Sequence, residues 1–346
     1  VTSEVPTSDA EIAARVDNVT CGRAALALAN TQDARELGRH AGAPLEIPWR
    51  GWKSALKRAF WQMVSDRMSL VSAGCAFYAT LAMFPAISML VFLYGLVFDP
   101  VTVEPQLRQV RDLVPPSVFT LIDARVLDLV HRPRASLGIG LAISTAIALW
   151  SATTGTKAML SALDVAYDQA EGRSMIRFQL TALVMTLCAI VAAVITIAVL
   201  VVVPAVVSFV GLSTYHQVVI QGIGVLVLVV AVLLSLAMLY RFGPTRHRAQ
   251  WRWVMPGSLL ATVLWLAASV LFSQYVGRLA SYDATYGPLA AAIGVMMWFW
   301  GTVYVVLLGA QLNSELELQT LQDTTEGPVK PLGRRGAFVA DHVARE

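Results

Sequence analysis

"FQLTALVMTLCAIVAAVITIAVLVVVPAVVSFVGLSTYHQVVIQGIGVLVLVVAVLLSLAMLY", residues 178–240, runs for 63 residues without one Lys, Arg, Asp or Glu. As a single α-helix it would reach about 95 Å at 1.5 Å per residue, roughly three times the ~30 Å of bilayer hydrocarbon. The chain therefore has to turn back within it. Pro204 and the short polar run GLSTYHQ (211–217) mark the place, because a glycine among small polar residues is turn chemistry. Two antiparallel membrane spans with an uncharged connection follow, and they set the class for everything around them.

The composition agrees: of 346 residues 56% are hydrophobic and 14% charged, which places the chain among integral membrane proteins. Apolar blocks of spanning length recur on both sides of the opening stretch. Six spans are expected, at about 69–98, 136–157, 178–207, 217–240, 254–277 and 287–313. Residues 1–48 read as a polar, weakly ordered cytoplasmic leader, 49–318 as the membrane domain and 319–346 as a polar cytoplasmic tail. In the leader, VTSEVPTSDAEIAARVDN lacks a basic region followed by a short apolar core, so no cleavable signal peptide is expected there.

Between leader and first span lies PWRGWKSALKRAFWQMVSDR (48–67). Trp52, Leu56, Phe60, Met63 and Val64 recur at helical spacing, with Lys53, Lys57 and Arg58 among them. That pattern is an interfacial amphipathic helix, anchored by tryptophan and by cations facing an anionic leaflet. Positive charge also orients the spans. Arg50, Lys53, Lys57, Arg58 and Arg67 precede the first, Arg173 and Arg177 lie between the second and third, and Arg241, Arg246, Arg248 and Arg252 between the fourth and fifth. These sides are expected to be cytoplasmic, with both termini inside. The 1–2 connection mixes five arginines with five acids and is placed outside by alternation. Val118, Ile122, Val126, Leu129 and Val130, after Pro115-Pro116, predict an amphipathic helix in it that covers the bundle or lids a cavity.

Several stretches taken together carry a family resemblance: AFYATLAMFPAISML (76–90), LWSATTGTKAMLSALDVAYD (149–168), YRFGPTRHRAQWRWVMPGSLLATVLW (240–265) and YDATYGPLAAAIGVMMWFWGTVYVVLLGAQLNSELE (282–317). In this order and spacing the chain resembles the YihY/BrkB family of bacterial inner-membrane proteins over about residues 50–318. The resemblance implies an all-α six-span fold and a place in the bacterial cytoplasmic (inner) membrane. It also brings an old ribonuclease BN label, a virulence label tied to serum resistance, and later suggestions of lipid or solute transport, but no catalytic residues. Asp283 stands where many relatives have Asn, and Pro288 and Ala290 where Ser and Gly are usual.

The residues themselves test those labels. His40, His131, His216, His247 and His342 are scattered, as are Cys21, Cys75 and Cys188, so no ligand set for a water-activating metal is visible. No phosphate-cradling glycine loop and no nucleophile elbow occurs. The basic, aromatic connection RFGPTRHRAQWRW (241–253) reads as membrane anchoring rather than as a nucleic-acid surface. No cofactor and no catalytic or metal site is expected.

Polar residues at span ends remain, since ionisable groups near hydrocarbon are costly and tend to be functional. Lys157 closes the second expected span, and Gln311, Asn313 and Glu315 close the sixth. Lys157 is expected either to pair with Glu315 or to hold an anionic headgroup or solute, against the plainer reading in which both are solvated. Arg278 and Asp283 are the ionisable pair of the 5–6 connection, a turn in which Gly287-Pro288 would start the last helix. Ser151, Thr153, Thr154 and Gly155 in the second span, and Gly294, Gly301 and Gly309 in the sixth, permit close helix approach. Pro85, Pro204 and Pro256 could free carbonyls for a polar path. Membrane lipids and an amphiphilic or anionic solute are the expected partners. The reading is a lipid- or solute-handling membrane protein that does not hydrolyse ATP, with a scaffolding protein as the alternative; no oligomeric state is encoded visibly.

Overall fold

The structure, a computed structural model, describes residues 19–20, 33–97, 134–209, 214–279 and 283–344. Helix α1 spans Trp49–Ser65, and six long helices follow: α2 (Met68–Val97), α3 (Arg134–Ala166), α4 (Met175–Phe209), α5 (Thr214–Phe242), α6 (Trp251–Leu279) and α7 (Asp283–Glu317). All six are long and apolar enough to cross a membrane. At 29 to 35 residues each they reach about 44–53 Å, more than the hydrocarbon requires. Their ends therefore project from it. Within the apolar windows no more than 28% of any span is buried, and side chains such as Leu187, Val191, Val194, Leu226 and Leu271 are exposed, as lipid-facing residues can be.

α7 is the hub. It packs against α6, α2, α3 and α1, while α2 lies along α3, and α5 bridges α4 and α6. The α1–α2 corner is made at Arg67, whose φ of 51° is left-handed and so cannot continue a helix. α3 closes on a Schellman motif: Gln169 N–H donates to the Asp164 carbonyl at 2.8 Å and Asp168 N–H to the Val165 carbonyl at 3.1 Å. Asp168 takes the left-handed position with φ 52°.

The span boundaries differ from expectation at polar residues. α3 continues nine residues past the expected end at 157, so Lys157 lies inside a helix. α7 begins at Asp283, so Gly287 and Pro288 lie inside it rather than at its start. Threonine hydroxyls explain the first difference: Thr153, Thr154 and Thr156 each donate to the carbonyl four residues back, so their polarity is absorbed by the helix that it seemed to end. The predicted outer helix around Val118–Val130 lies outside the described residues.

Residues 33–48 and 318–344 meet at one end of the bundle, called here the packed end. Arg39, buried, donates to the carbonyls of Gln319 (3.3 Å) and Ala344 (2.7 Å). Leu321 N–H donates to the Arg39 carbonyl at 2.8 Å, and Thr320 Oγ1 to that of Ala41 at 2.7 Å. A two-residue strand β1 (Val19–Thr20) pairs antiparallel with β2 (Val343–Ala344). Within the expected leader, residues 33–48 find backbone partners in the tail.

Candidate functional site

The polar residues that close the sixth span lie in a continuously buried stretch of the described structure. Every residue from Gly309 to Thr320 is buried, and successive side chains leave α7 in different directions.

Asn313 faces α6. Pro256 sits within that helix and contributes no N–H, which disturbs the local hydrogen-bond ladder. Asn313 bonds on either side of the proline: its Oδ1 accepts from Gly257 N–H at 2.7 Å and its Nδ2 donates to the Val254 carbonyl at 3.0 Å. Gly257 and Gly309 allow this approach, since a Cβ on Gly257 would collide with the Gly309 carbonyl oxygen and with Asn313. Gly309 in turn leaves room for Tyr240, whose hydroxyl donates to the Val306 carbonyl at 2.7 Å. Gly294 and Gly301 meet nothing within 4 Å, so close packing belongs to Gly309 alone of the three. At Gly155 a Cβ would find ordinary contact with Tyr78 and Ala79 at 3.9 Å.

Glu315 faces α1, not α3. Arg58 Nε donates to Glu315 Oε2 at 2.8 Å, and the same guanidinium reaches the Glu315 carbonyl (3.3 Å) and Gln319 Oε1 (2.6 Å). The expected Lys157–Glu315 pair is replaced by this one, because α1 packs beside the last turns of α7. Lys157 is half-buried on α3 and forms no ion pair among the described residues. Gln311 is fully buried, and neither of its amide atoms has a hydrogen-bond partner among the described residues; the same holds for the hydroxyls of Ser72 and Ser314.

Glu317, which the span-end reading passed over, anchors the centre. Both its oxygens accept from Arg246, at 2.8 and 2.9 Å, with both side chains at 0% exposure. Thr324 Oγ1 adds a third bond at 2.7 Å, and the guanidinium lies 4.2 Å from the Tyr167 ring centroid. Bidentate geometry is what makes an ion pair tolerable in such a place. Arg241 is also turned inward, donating to the Ala249 carbonyl (2.9 Å) and Glu326 Oε2 (2.7 Å). Two of the four arginines of the 4–5 connection are therefore internal struts rather than membrane anchors. A further strut joins Asp164 Oδ2 to Arg173 (3.0 Å) and to Thr245 Oγ1 (2.9 Å). Arg173 also bonds Glu171 at 2.9 Å, and that hydrogen bond leads the causes that pull the Glu171 carboxyl down to about 2. Acids such as Glu317 and Asp164, set in otherwise apolar helix ends, were the signal for these struts.

The described surface also carries a groove of about 490 Å³ between α1 and α7, lined by Lys53, Leu56, Lys57, Phe60 and Leu308. α1 turns Gly51, Ala55, Ala59 and Met63 inward. Of the expected apolar face, Met63 is buried, while Leu56, Phe60 and Val64 are exposed. Arg278 falls in the last turns of α6 and Asp283 starts α7; their side chains, and the pairing expected of them, lie outside the described residues. Among the described residues no group of three His, Cys, Asp or Glu is placed to hold a metal ion.

The family described as Virulence factor BrkB matches residues 59–332. The chain is 30% identical over 272 residues to the ribonuclease-like protein YfkH of Bacillus subtilis, covering 76% of this chain and 95% of that one. It is 38% identical over 100 residues to the UPF0761 membrane protein RSc1559 of Ralstonia nicotianae (28% of this chain, 22% of that one). To the UPF0761 membrane protein PSHAa0171 of Pseudoalteromonas translucida it is 32% identical over 89 residues (26% and 29%). No solved structure matches. With the match running from α1 through the tail that closes over α7, and six spanning helices between them, the chain belongs to the BrkB family of membrane proteins.

Proposed function

We propose that this protein handles a lipid or other anionic amphiphile in the bacterial inner membrane, moving it or presenting it without hydrolysing ATP. The packed end, with its excess of arginine and lysine in the short connections, is the cytoplasmic one under the positive-inside rule, which puts both termini inside. The observation that carries the reading is the groove between α1 and α7, an apolar surface to which Lys53 and Lys57 contribute their aliphatic stems, with their ammonium groups beyond it. Hydrocarbon and negative charge are the two things such a groove can satisfy together. On this reading Lys157 and Gln311 are the polar positions on which a passage between α3 and α7 depends, Arg278 and Asp283 lie at its outer mouth, and Asn313 and Glu315 hold the helices in register.

Reconstituted liposomes test this directly, with a labelled anionic phospholipid and a small labelled anion followed in parallel. Lipid movement above protein-free vesicles, reduced by Lys157→Ala, is the expected result; movement of neither species under any gradient sinks it. A scaffolding role is the second reading, favoured by the tight Gly257–Gly309 crossing and by Asn313 binding α6 backbone beside Pro256. The ribonuclease-like name belongs to the Bacillus relative; we assign this chain no covalent chemistry.

A further inference from the structure

We infer that the groove between α1 and α7 is a binding site for a single anionic phospholipid, with the headgroup phosphate held between Lys53 and Lys57 and an acyl chain laid over Leu56, Phe60 and Leu308. The inference deepens the proposed handling of an anionic amphiphile by naming the headgroup class and the residues that select it.

Three observations lead to it. The four α1 residues stand at 53, 56, 57 and 60, the i, i+3, i+4, i+7 spacing that puts them on one helix face. Lys53 and Lys57 are one turn apart, about 6 Å along the axis, a separation that two ammonium groups can close around one phosphate. Their charge is also uncommitted. α1 contains no acid, Arg58 is spent on Glu315 and Gln319, Arg50 on Glu36, and neither lysine has an ion pair among the described residues.

The walls exclude a simple ion. Leu56 and Phe60 are 50% and 60% exposed, a face that water would penalise by about 25 cal/mol for each Å² and that an acyl chain would cover. A soluble phosphate would use the lysines and leave this surface bare. A phospholipid uses both. The opposite face of α1, made of Gly51, Ala55, Ala59 and Met63, is already occupied by its packing inside the protein, so the helix is held still while its outer face reads the leaflet.

The test is native mass spectrometry of the full chain in detergent, titrated with phosphatidylglycerol and phosphatidylcholine of identical chains. The parent protein is expected to retain one phosphatidylglycerol several-fold more tightly than phosphatidylcholine. The double variant K53Q/K57Q brings that ratio close to one, and K53R/K57R keeps it, which separates lost charge from lost fold. Phe60→Ala weakens both lipids together and leaves the ratio in place. Equal retention of the two lipids by the parent overturns the site, as does an unchanged ratio in K53Q/K57Q. Displacement of phosphatidylglycerol by millimolar inorganic phosphate also overturns it, because a ligand that ignores the apolar wall needs no groove. If the preference holds while liposomes show no lipid movement, the site stands and only the movement falls. If K53Q/K57Q loses the preference yet moves lipid normally, the site stands apart from the pathway.

Discussion

Between Ala292 and Thr302 not one residue of α7 is buried, and Ile293, Met296, Met297 and Trp300 are exposed; from Gly309 to Thr320 all are buried, among them Gln311, Asn313, Glu315, Glu317 and Gln319. The same helix thus exposes its apolar half and buries its polar one. In a water-soluble protein that distribution would be upside down. Here each half matches its surroundings. The apolar half is solvated by hydrocarbon, which gives no drive to hide a methionine, while the polar half is enclosed by α1, α6, the 4–5 connection and the tail, which supply charges and carbonyls in fixed places. Polarity along a membrane helix therefore reports the surroundings of each turn and not its accessibility.

The largest effect that can break this contrast is expected at the buried ion pair. Glu317→Gln leaves Arg246 enclosed without its carboxylate and should cost about 3–5 kcal/mol, read as a lowered melting temperature in detergent. R246M/E317L, which removes both charges, should recover most of it. A single variant that melts like the parent would show that water reaches the pair.

Next comes the Asn313 bridge. Asn313→Leu strands Gly257 N–H, while the Val254 carbonyl keeps the Ser258 hydroxyl, at about 1–3 kcal/mol for a buried group left unpaired. Faster amide exchange should appear around Gly257 first. The glycines then compare the two halves within one substitution type. Gly309→Ala drives a Cβ to 2.5 Å from the Tyr240 hydroxyl and 2.6 Å from the Gly257 carbonyl, an overpacking of about 1–3 kcal/mol. Gly301→Ala, with nothing within 4 Å, should instead be neutral or stabilising by up to about 1 kcal/mol, from the higher helix propensity of alanine. Equal melting shifts for the two would mean that the crossing is looser than drawn.

The smallest expected effect is at the rim of the packed end. The Glu171 carboxyl is held down to about 2 by Arg173, below its unfolded value of about 4.3. Its contribution is present above the unfolded value and is lost as pH falls through the folded one. The melting difference between the parent and Glu171→Gln should therefore be constant near neutrality and shrink between about pH 4.3 and 2. A difference that persists to pH 2 would assign it to packing rather than charge.

The spans were legible because hydropathy sums along a continuous stretch: within the uncharged 178–240 run one helix ends at Phe209 and the next begins at Thr214, next to and within the polar break GLSTYHQ (211–217). Where the reading stopped short, local polarity was mistaken for an end. Lys157 and the threonines before it continue α3, and Gly287-Pro288 continues α7. Gln311, Asn313 and Glu315 could be picked out as unusual, yet their roles could not be assigned. Asn313 serves a proline 57 positions earlier in the sequence, and Glu315 pairs with an arginine 257 positions away.

From its sequence alone this chain is an all-α membrane protein with six spans, because crossing hydrocarbon is a matter of length and composition that each helix meets by itself. Which charge meets which was decided only when the helices packed. Arg58 rather than Lys157 reaches Glu315, Arg246 rather than solvent holds Glu317, and Lys53 and Lys57 are left facing outward beside a groove. Coulomb attraction and hydrogen bonding act over a few ångströms in space, and distance along the sequence does not tell which groups the fold will bring that close.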